Sequence, residues 1–231
     1  MKLAVIPARG GSKRIPRKNM RAFNGKPAIA YPIAAAIESG CFDRVIVSTD
    51  DDEIADVALR HGAHVPFRRP AALADDHTAT LAVVQHAISS MASLQSEPVE
   101  WVCCIYATAL FLEANDLRRG WDLLREQQAD YAFSVTSYAF PIQRAIRITR
   151  AGRVAMFQPE HRETRSQDLE PAYHDAGQFY WGRASAFAQA LPVFSDTAVP
   201  VVLPRYRVQD IDTEEDWLQA ELMYRALTVA R

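Results

Sequence analysis

Cysteine is scarce in this 231-residue chain: only Cys41, Cys103 and Cys104, two of them adjacent. That count and spacing exclude a disulfide framework and a zinc site, and they fit a protein kept reduced in the cytoplasm. No apolar run approaches the roughly 20 residues that a membrane-spanning helix needs. The opening apolar stretch breaks at Pro7 and Arg9, too early for a secretory core. There is no internal repeat and no low-complexity segment. Neither Gly-x-x-x-x-Gly-Lys-Ser/Thr nor Gly-x-Gly-x-x-Gly occurs, so the common phosphate-loop and dinucleotide fingerprints are missing. One further absence is local: no acidic residue precedes Glu38.

What stands in that acid-free stretch is cationic. The first 26 residues carry eight Lys and Arg, which leaves 18 cations against 28 acids in the remainder. Nucleic-acid binders spread basic charge over a long face. Here it is concentrated between Arg9 and Arg21, directly after the apolar run Leu3-Ala4-Val5-Ile6, in a chain of formal net charge −2. The pattern predicts a strand feeding a flexible glycine-rich loop that holds a compact anion such as a nucleoside triphosphate. Gly10 and Gly11 permit close backbone approach, and Arg9, Lys13 and Lys18 supply charge-assisted hydrogen bonds.

The apolar periodicity predicts alternating strands and helices. Strands are expected at 3–6, 44–48, 64–66, 101–106, 131–135, 178–181 and 199–203, and helices at 28–39, 51–61, 78–91, 115–128 and 212–230. This is an α/β chain with three layers and a mostly parallel sheet. Its 231 residues form one domain. The segment 139–176 interrupts the rhythm, with two alternating stretches around Gly152 that read as a β-hairpin, and is expected to be an inserted arm. Cys103 and Cys104 read as buried strand residues.

Three further groups can carry chemistry. Asp210-Ile211-Asp212 sets two carboxylates at a strand-to-helix junction; they read either as Mg²⁺ ligands or as a helix cap, Asp212 or Thr213 serving as the cap. Arg68-Arg69-Pro70 precedes Asp75-Asp76-His77-Thr78, where helix capping is expected and Thr78 opens the next helix. Arg165, Gln167, His174, Asp175, Gln178 and Tyr180 place polar groups beside aromatic rings, a composition suited to a polar sugar acid. Phe179, Tyr180 and Trp181 also read as core on alternate faces. No Ser or Cys nucleophile accompanies His174 and Asp175, so a catalytic triad is set aside.

The run Ile6-Pro-Ala-Arg-Gly-Gly-Ser-Lys-Arg-Ile-Pro-Arg-Lys-Asn19 resembles the signature of the CMP-sialic acid synthetase family, cytidylyltransferases that activate acidic sugars. The resemblance continues through Val47-Ser-Thr-Asp50, Arg69-Pro70 and Asp210-Ile-Asp-Thr213. It implies the nucleotide-diphospho-sugar transferase fold and a homodimer that exchanges an arm. The implied reaction joins the CMP of CTP to a nine-carbon 2-keto sugar acid and releases pyrophosphate. By position, Arg9, Gly10, Gly11, Ser12, Lys13, Lys18 and Asn19 would hold the triphosphate and ribose, with Arg69 near the base and Thr78 completing the nucleotide set. Lys18 would stabilise the reacting phosphate, and Asp210 and Asp212 would bind Mg²⁺.

The sugar half departs from the sialic acid pattern. Ile105-Tyr-Ala-Thr-Ala-Leu-Phe-Leu112 replaces Leu-Gln-Pro-Thr-Ser-Pro-Leu-Arg, and His174-Asp-Ala-Gly177 replaces Arg-x-Asn-Gly. The variant motifs resemble the branch of the family that acts on pseudaminic acid, a more deoxygenated sugar of bacterial surface glycans, apart from Leu110, where that branch carries Pro. Tyr106, Arg165, Gln167, His174, Asp175, Gln178 and Tyr180 would then meet the sugar. Related sugar acids, including KDO, and a nucleotide binder without catalysis are the alternatives.

Overall fold

The structure is a computed structural model describing residues 1–229. In chain order the elements are β1 (Lys2–Pro7), β2 (Ala22–Phe23), β3 (Lys26–Pro27), α1 (Ala30–Ser39), β4 (Arg44–Ser48), α2 (Asp52–Arg60), α3 (Thr80–Leu94), β5 (Trp101–Ile105), α4 (Ala114–Glu126), β6 (Tyr131–Ser137), β7 (Ile146–Ile148), β8 (Val154–Met156), β9 (Tyr173–Arg183), α5 (Ala184–Ala188), β10 (Ala198–Val202) and α6 (Glu214–Val229). Six strands make one sheet in the order β10-β6-β9-β5-β1-β4. All its pairings are parallel except those of β9, which runs antiparallel between β5 and β6.

β1 shows how the sequence builds three layers. Its apolar residues alternate between two cores, because successive strand side chains point to opposite faces. Ala4 and Ile6 join Ile33, Ile54 and Leu117 of α1, α2 and α4. Leu3 and Val5 join Val84, Met91 and Phe187 of α3 and α5 on the other face. A strand buried on both sides reads as a continuous apolar run, which is why it was recognisable. Cys103 and Cys104 divide between the same two cores, and burial pushes both thiols up, that of Cys104 to about 12.

Most expected elements are present with small changes at their ends. The strand expected at 64–66 is only a single bridge between Ile46 and His64. The expected 178–181 strand is the middle of an 11-residue strand, β9. The helix expected from residue 78 begins at Thr80, with no side-chain cap at its N-terminus. Asp75 instead accepts from the Thr78 hydroxyl and amide at 2.6 and 2.7 Å, closing a turn before the helix. At α6, Thr213 and Asp216 cap each other: the Thr213 amide reaches Asp216 at 2.7 Å and the Asp216 amide reaches Thr213 Oγ1 at 3.2 Å. The expected last residue of that helix, Ala230, lies outside the described residues. Among the described residues no helix is long and apolar enough to cross a membrane.

Between β6 and β9 the chain leaves the sheet at a base closed by Tyr138 N–H to Ala172 O, 3.1 Å. β7 and β8 form an antiparallel hairpin within this excursion. Its apolar residues face outward: Phe140 is 83% exposed, Ile148 79% and Val154 71%.

Candidate active site

The loop after β1 emerges at the carboxyl end of the sheet, where β1 is flanked by β5 and β4. Ligands of open α/β sheets bind at such a point. The loop is tied down at two points. Ile15 is buried among Phe23, Phe111, Ile211 and Trp217, which anchors its centre. Asn19 is buried too and donates from Nδ2 to Arg9 O at 3.0 Å, tying the loop's two arms together.

A cavity of about 320 Å³ opens beside this loop, bordered by Arg9, Ser12, Lys13, Lys18, Asn19, Arg69, Thr78 and Tyr106. Six cations of the segment now have carboxylate partners. Arg9 meets Asp76 at 2.7 Å, and Lys13 also pairs with Asp76. Arg14 meets Asp212 at 2.7 Å, Arg17 meets Asp51 at 2.8 Å, and Arg21 meets Glu214 at 2.7 Å. Lys18 donates to Ile211 O and lies 3.6 Å from Asp212. Burial lowers the Lys18 pKa, and Asp212 and Asp210 oppose that shift. The hydrogen bond from Lys13, with Arg9 adding to it, holds Asp76 below the usual carboxylate range.

Arg69 is buried at the cavity wall. Its backbone N–H donates to Thr49 O at 2.9 Å, and its Nη2 lies 3.3 Å from Asp50. Its Nε–H has no partner among the described residues, so a buried donor is left available there. Gly10 must be glycine for a local reason: a Cβ would sit 2.5 Å from Asp51 Oδ2. Its own N–H is already given to Asp50 Oδ1 at 3.2 Å.

A second cavity, of about 510 Å³, shares Tyr106 with the first and is bordered by His174, Asp175, Gly177, Tyr180, Gln209 and Asp210. His174 and Asp175 are strand neighbours expected on opposite faces, yet both border it. Directly after them β9 is irregular. Pairing with β6 shifts between Phe133 and Val135, so extra β9 residues face Ser134. Ser134 Oγ accepts from the amides of Gln178 and Phe179, both at 3.2 Å, replacing lost ladder bonds. Gly177 sits at φ 60° and its N–H reaches Asp175 Oδ1 at 2.8 Å. Tyr180 donates to Asp175 Oδ2 at 2.5 Å, and burial first, then Tyr106 and Asp175, push the Tyr180 pKa up, so it stays a donor.

Not every sequence-selected residue reaches these cavities. Gln178 is buried, donating from Nε2 to Arg207 O at 2.7 Å. Arg165 and Gln167 are exposed on the excursion, where Arg165 pairs with Asp168 at 2.8 Å. Asp210 and Asp212 flank the fully buried Ile211, and the α6 cap is Thr213, which accepts from the Asp216 amide. Asp210 opens onto the second cavity, but protein crowding it and the nearby Asp212 push its pKa up. Sequence reading missed Asp76 as counter-ion to Arg9 and Lys13, and Asp50 as partner of Arg69 and Gly10. The acids lie 19 to 67 positions away, and spacing gives no signal of such contacts.

A cationic loop at the carboxyl end of a parallel sheet, opening onto a second polar cavity that holds two carboxylates, is the arrangement of a nucleotidyltransferase. The chain belongs to the cytidylyltransferase family, whose model matches residues 3–190, and it is a CTP-using enzyme of that class. It is 45% identical over 223 residues, 96% of each chain, to a pseudaminic acid cytidylyltransferase of Campylobacter jejuni subsp. jejuni serotype O:23/36 (strain 81-176). It is 33% identical over 228 residues to the CMP-N,N'-diacetyllegionaminic acid synthase of Legionella pneumophila subsp. pneumophila (strain Philadelphia 1), covering 95% of this chain and 94% of that one. The solved structure of a CMP:2-keto-3-deoxy-manno-octonic acid synthetase complexed with CTP shares the fold at a TM-score of 0.70 and 14% identity, covering 97% of this chain and 98% of that one.

Proposed function

We propose that this enzyme transfers CMP from CTP to the anomeric hydroxyl of pseudaminic acid, releasing pyrophosphate, as a cytoplasmic homodimer. The observation that carries the reading is the pair of cavities joined at Tyr106: one is lined by the loop cations, the other by Asp175, Tyr180 and Asp210. The first suits a triphosphate and the second a hydroxylated sugar. The 45% identity to a pseudaminic acid cytidylyltransferase supports the choice of sugar.

In this reading Arg9, Ser12, Lys13 and Asn19 hold the triphosphate, and the free Nε–H of Arg69 meets the nucleotide near its base. The triphosphate replaces Asp76 on Arg9 and Lys13. The anomeric oxygen bonds to the α-phosphorus, the bond from that phosphorus to the α–β bridging oxygen breaks to release pyrophosphate, and the hydroxyl proton passes to solvent water. Lys18 neutralises charge that develops on the α-phosphate, and fixed charges of this kind lower the barrier without reorganising. Asp175, held by Tyr180 and the Gly177 amide, accepts hydrogen bonds from the sugar. Asp210 and Asp212 suit Mg²⁺. They would hold it through carboxylate oxygens, the donor type this ion takes, Asp210 from the edge of the second cavity and Asp212 from its pairing with Arg14. When bound, Mg²⁺ supplies charge neutralisation on the phosphates.

The excursion at 139–176 supports the dimer. Its outward apolar residues form a surface of the kind that a partner covers. A pyrophosphate-release assay with CTP and a panel of sugar acids tests the substrate: pseudaminic acid is expected to turn over best. Turnover of sialic or legionaminic acid in its place would overturn the sugar assignment.

A further inference from the structure

Arg17 belongs to the cationic loop but borders neither of the two cavities. Its side chain turns the other way, to the start of α2. There Nη1 meets Asp51 Oδ2 at 2.8 Å and Nη2 meets Glu53 Oε2 at 2.6 Å. Its backbone is held at φ 55°, a left-handed conformation that residues with a side chain rarely adopt. The Arg17 carbonyl accepts from the amides of Met20 and Arg21 at 2.8 and 2.9 Å, so the turn carrying Lys18 is built on this residue.

The other end of the loop is held beside the same helix start. There Gly10 N–H donates to Asp50 Oδ1 at 3.2 Å, while Asp51, whose Oδ2 would lie 2.5 Å from a Cβ at Gly10, caps α2 through Oδ1 by accepting from Ile54 N at 3.0 Å. Two adjacent carboxylates just before and at the start of α2 therefore hold the two ends of the stretch that borders the phosphate cavity, Asp50 at Gly10 and Asp51 at Arg17. A strained backbone persists only where its surroundings over-determine it, and such residues gather at functional sites.

We propose that Arg17, Asp51 and Glu53 form a latch that positions Lys18. Arg17 is a positioning residue: it touches no substrate, and it fixes the backbone one residue before the ammonium that meets the reacting phosphate. The inference rests on the role given to Lys18 above. Losing the latch disturbs the aim of Lys18, the residue next to it, more than the cavity's other cations, so it lowers kcat more than it weakens CTP.

The test compares Arg17→Met, Arg17→Lys, Glu53→Gln and the Arg17→Met/Glu53→Gln double variant with Lys18→Ala. Steady-state kinetics, CTP titration calorimetry and thermal melts are measured on each. Arg17→Met is expected to lose about tenfold in kcat, with the Kd for CTP changed less than about threefold, because misplacing a reacting group costs rate. Arg17→Lys recovers part of the loss. The double variant is no slower than Arg17→Met alone, since residues acting as one unit are not additive. Melting temperatures stay close to wild type because Arg17 and Glu53, the residues changed, are exposed. A raised Kd and KM for CTP at unchanged kcat would show that Arg17 merely attracts the nucleotide and would overturn the latch, as would additive losses in the double variant. If Lys18→Ala is slow while Arg17→Met is not, the latch alone falls. If Lys18→Ala keeps wild-type kcat, the Lys18 assignment falls and the latch with it.

Discussion

Asp76 shows at residue scale what a charge count cannot. The cations of the opening loop were legible in sequence because they cluster without an acid among them. Their partners were not, since Asp76, Asp212 and Asp51 reach them only through the fold. Asp76 bridges Arg9 and Lys13, so a triphosphate must displace a carboxylate already seated there. Asp76→Asn is therefore expected to lower the KM for CTP by a few-fold, the scale of partly exposed ion pairs. A rise in KM would mean that Asp76 itself serves the nucleotide. Asp210 offers a test with a pH signature. Its pKa is raised in the fold by the protein packed around it and by Asp212, and because the residue still meets solvent the effect on stability is small. The stability linked to this group is present at low pH and lost as pH rises through the raised folded value. Asp210→Asn is expected to raise the melting temperature near pH 8, with the gain shrinking toward acidic pH as the wild-type carboxyl protonates, while activity is lost. A lower melting temperature at pH 8 would contradict the proposed crowding of charge.

At the scale of elements, the β-α alternation was readable because buried parallel strands are short apolar runs between amphipathic helices. The direction of β9 was not, because pairing direction leaves no mark in a strand's own pattern. Nor was its irregularity, although Gly177 is the residue that makes it possible. With φ at 60°, Gly177 lets the chain turn so that its N–H reaches Asp175 while His174 and Asp175 border the same cavity. Gly177→Ala places a Cβ in the left-handed region at a cost of about 1–2 kcal/mol, with no neighbouring atom within 4 Å to add a clash. The expected result is a modest loss of thermal stability and a raised KM for the sugar acid, with the Kd for CTP unchanged, since the cationic cavity is built on other elements. Equal damage to CTP binding in calorimetry would show that the two cavities are not separately supported.

The excursion makes sense only at the scale of the whole molecule. A two-stranded hairpin is at best marginally stable alone, and this one holds Ile146, Ile148, Val154 and Phe157 toward solvent. Arg165 and Gln167, which the sequence assigned to the sugar, border neither cavity of their own chain. Both facts are accounted for if the arm reaches across a two-fold axis and delivers those residues to the partner's second cavity. Complementation separates this from action within one chain. Lys18→Ala removes a group from the chain's own cavity, whereas Arg165→Ala removes one that the arm supplies. If the arm acts on the partner, a mixed dimer of the two variants has one doubly damaged site and one intact site. Mixing equal amounts under conditions that exchange subunits should then restore roughly a quarter of wild-type activity, because half of randomly paired isologous dimers are mixed and each has one working site. If each arm serves its own chain, both sites of the mixed dimer lack one group and mixing restores nothing. Ile148→Asp, which puts a charge on the hairpin's apolar face, supplies the physical control. Sedimentation should show monomers, and in that background the same mixture should stay inactive.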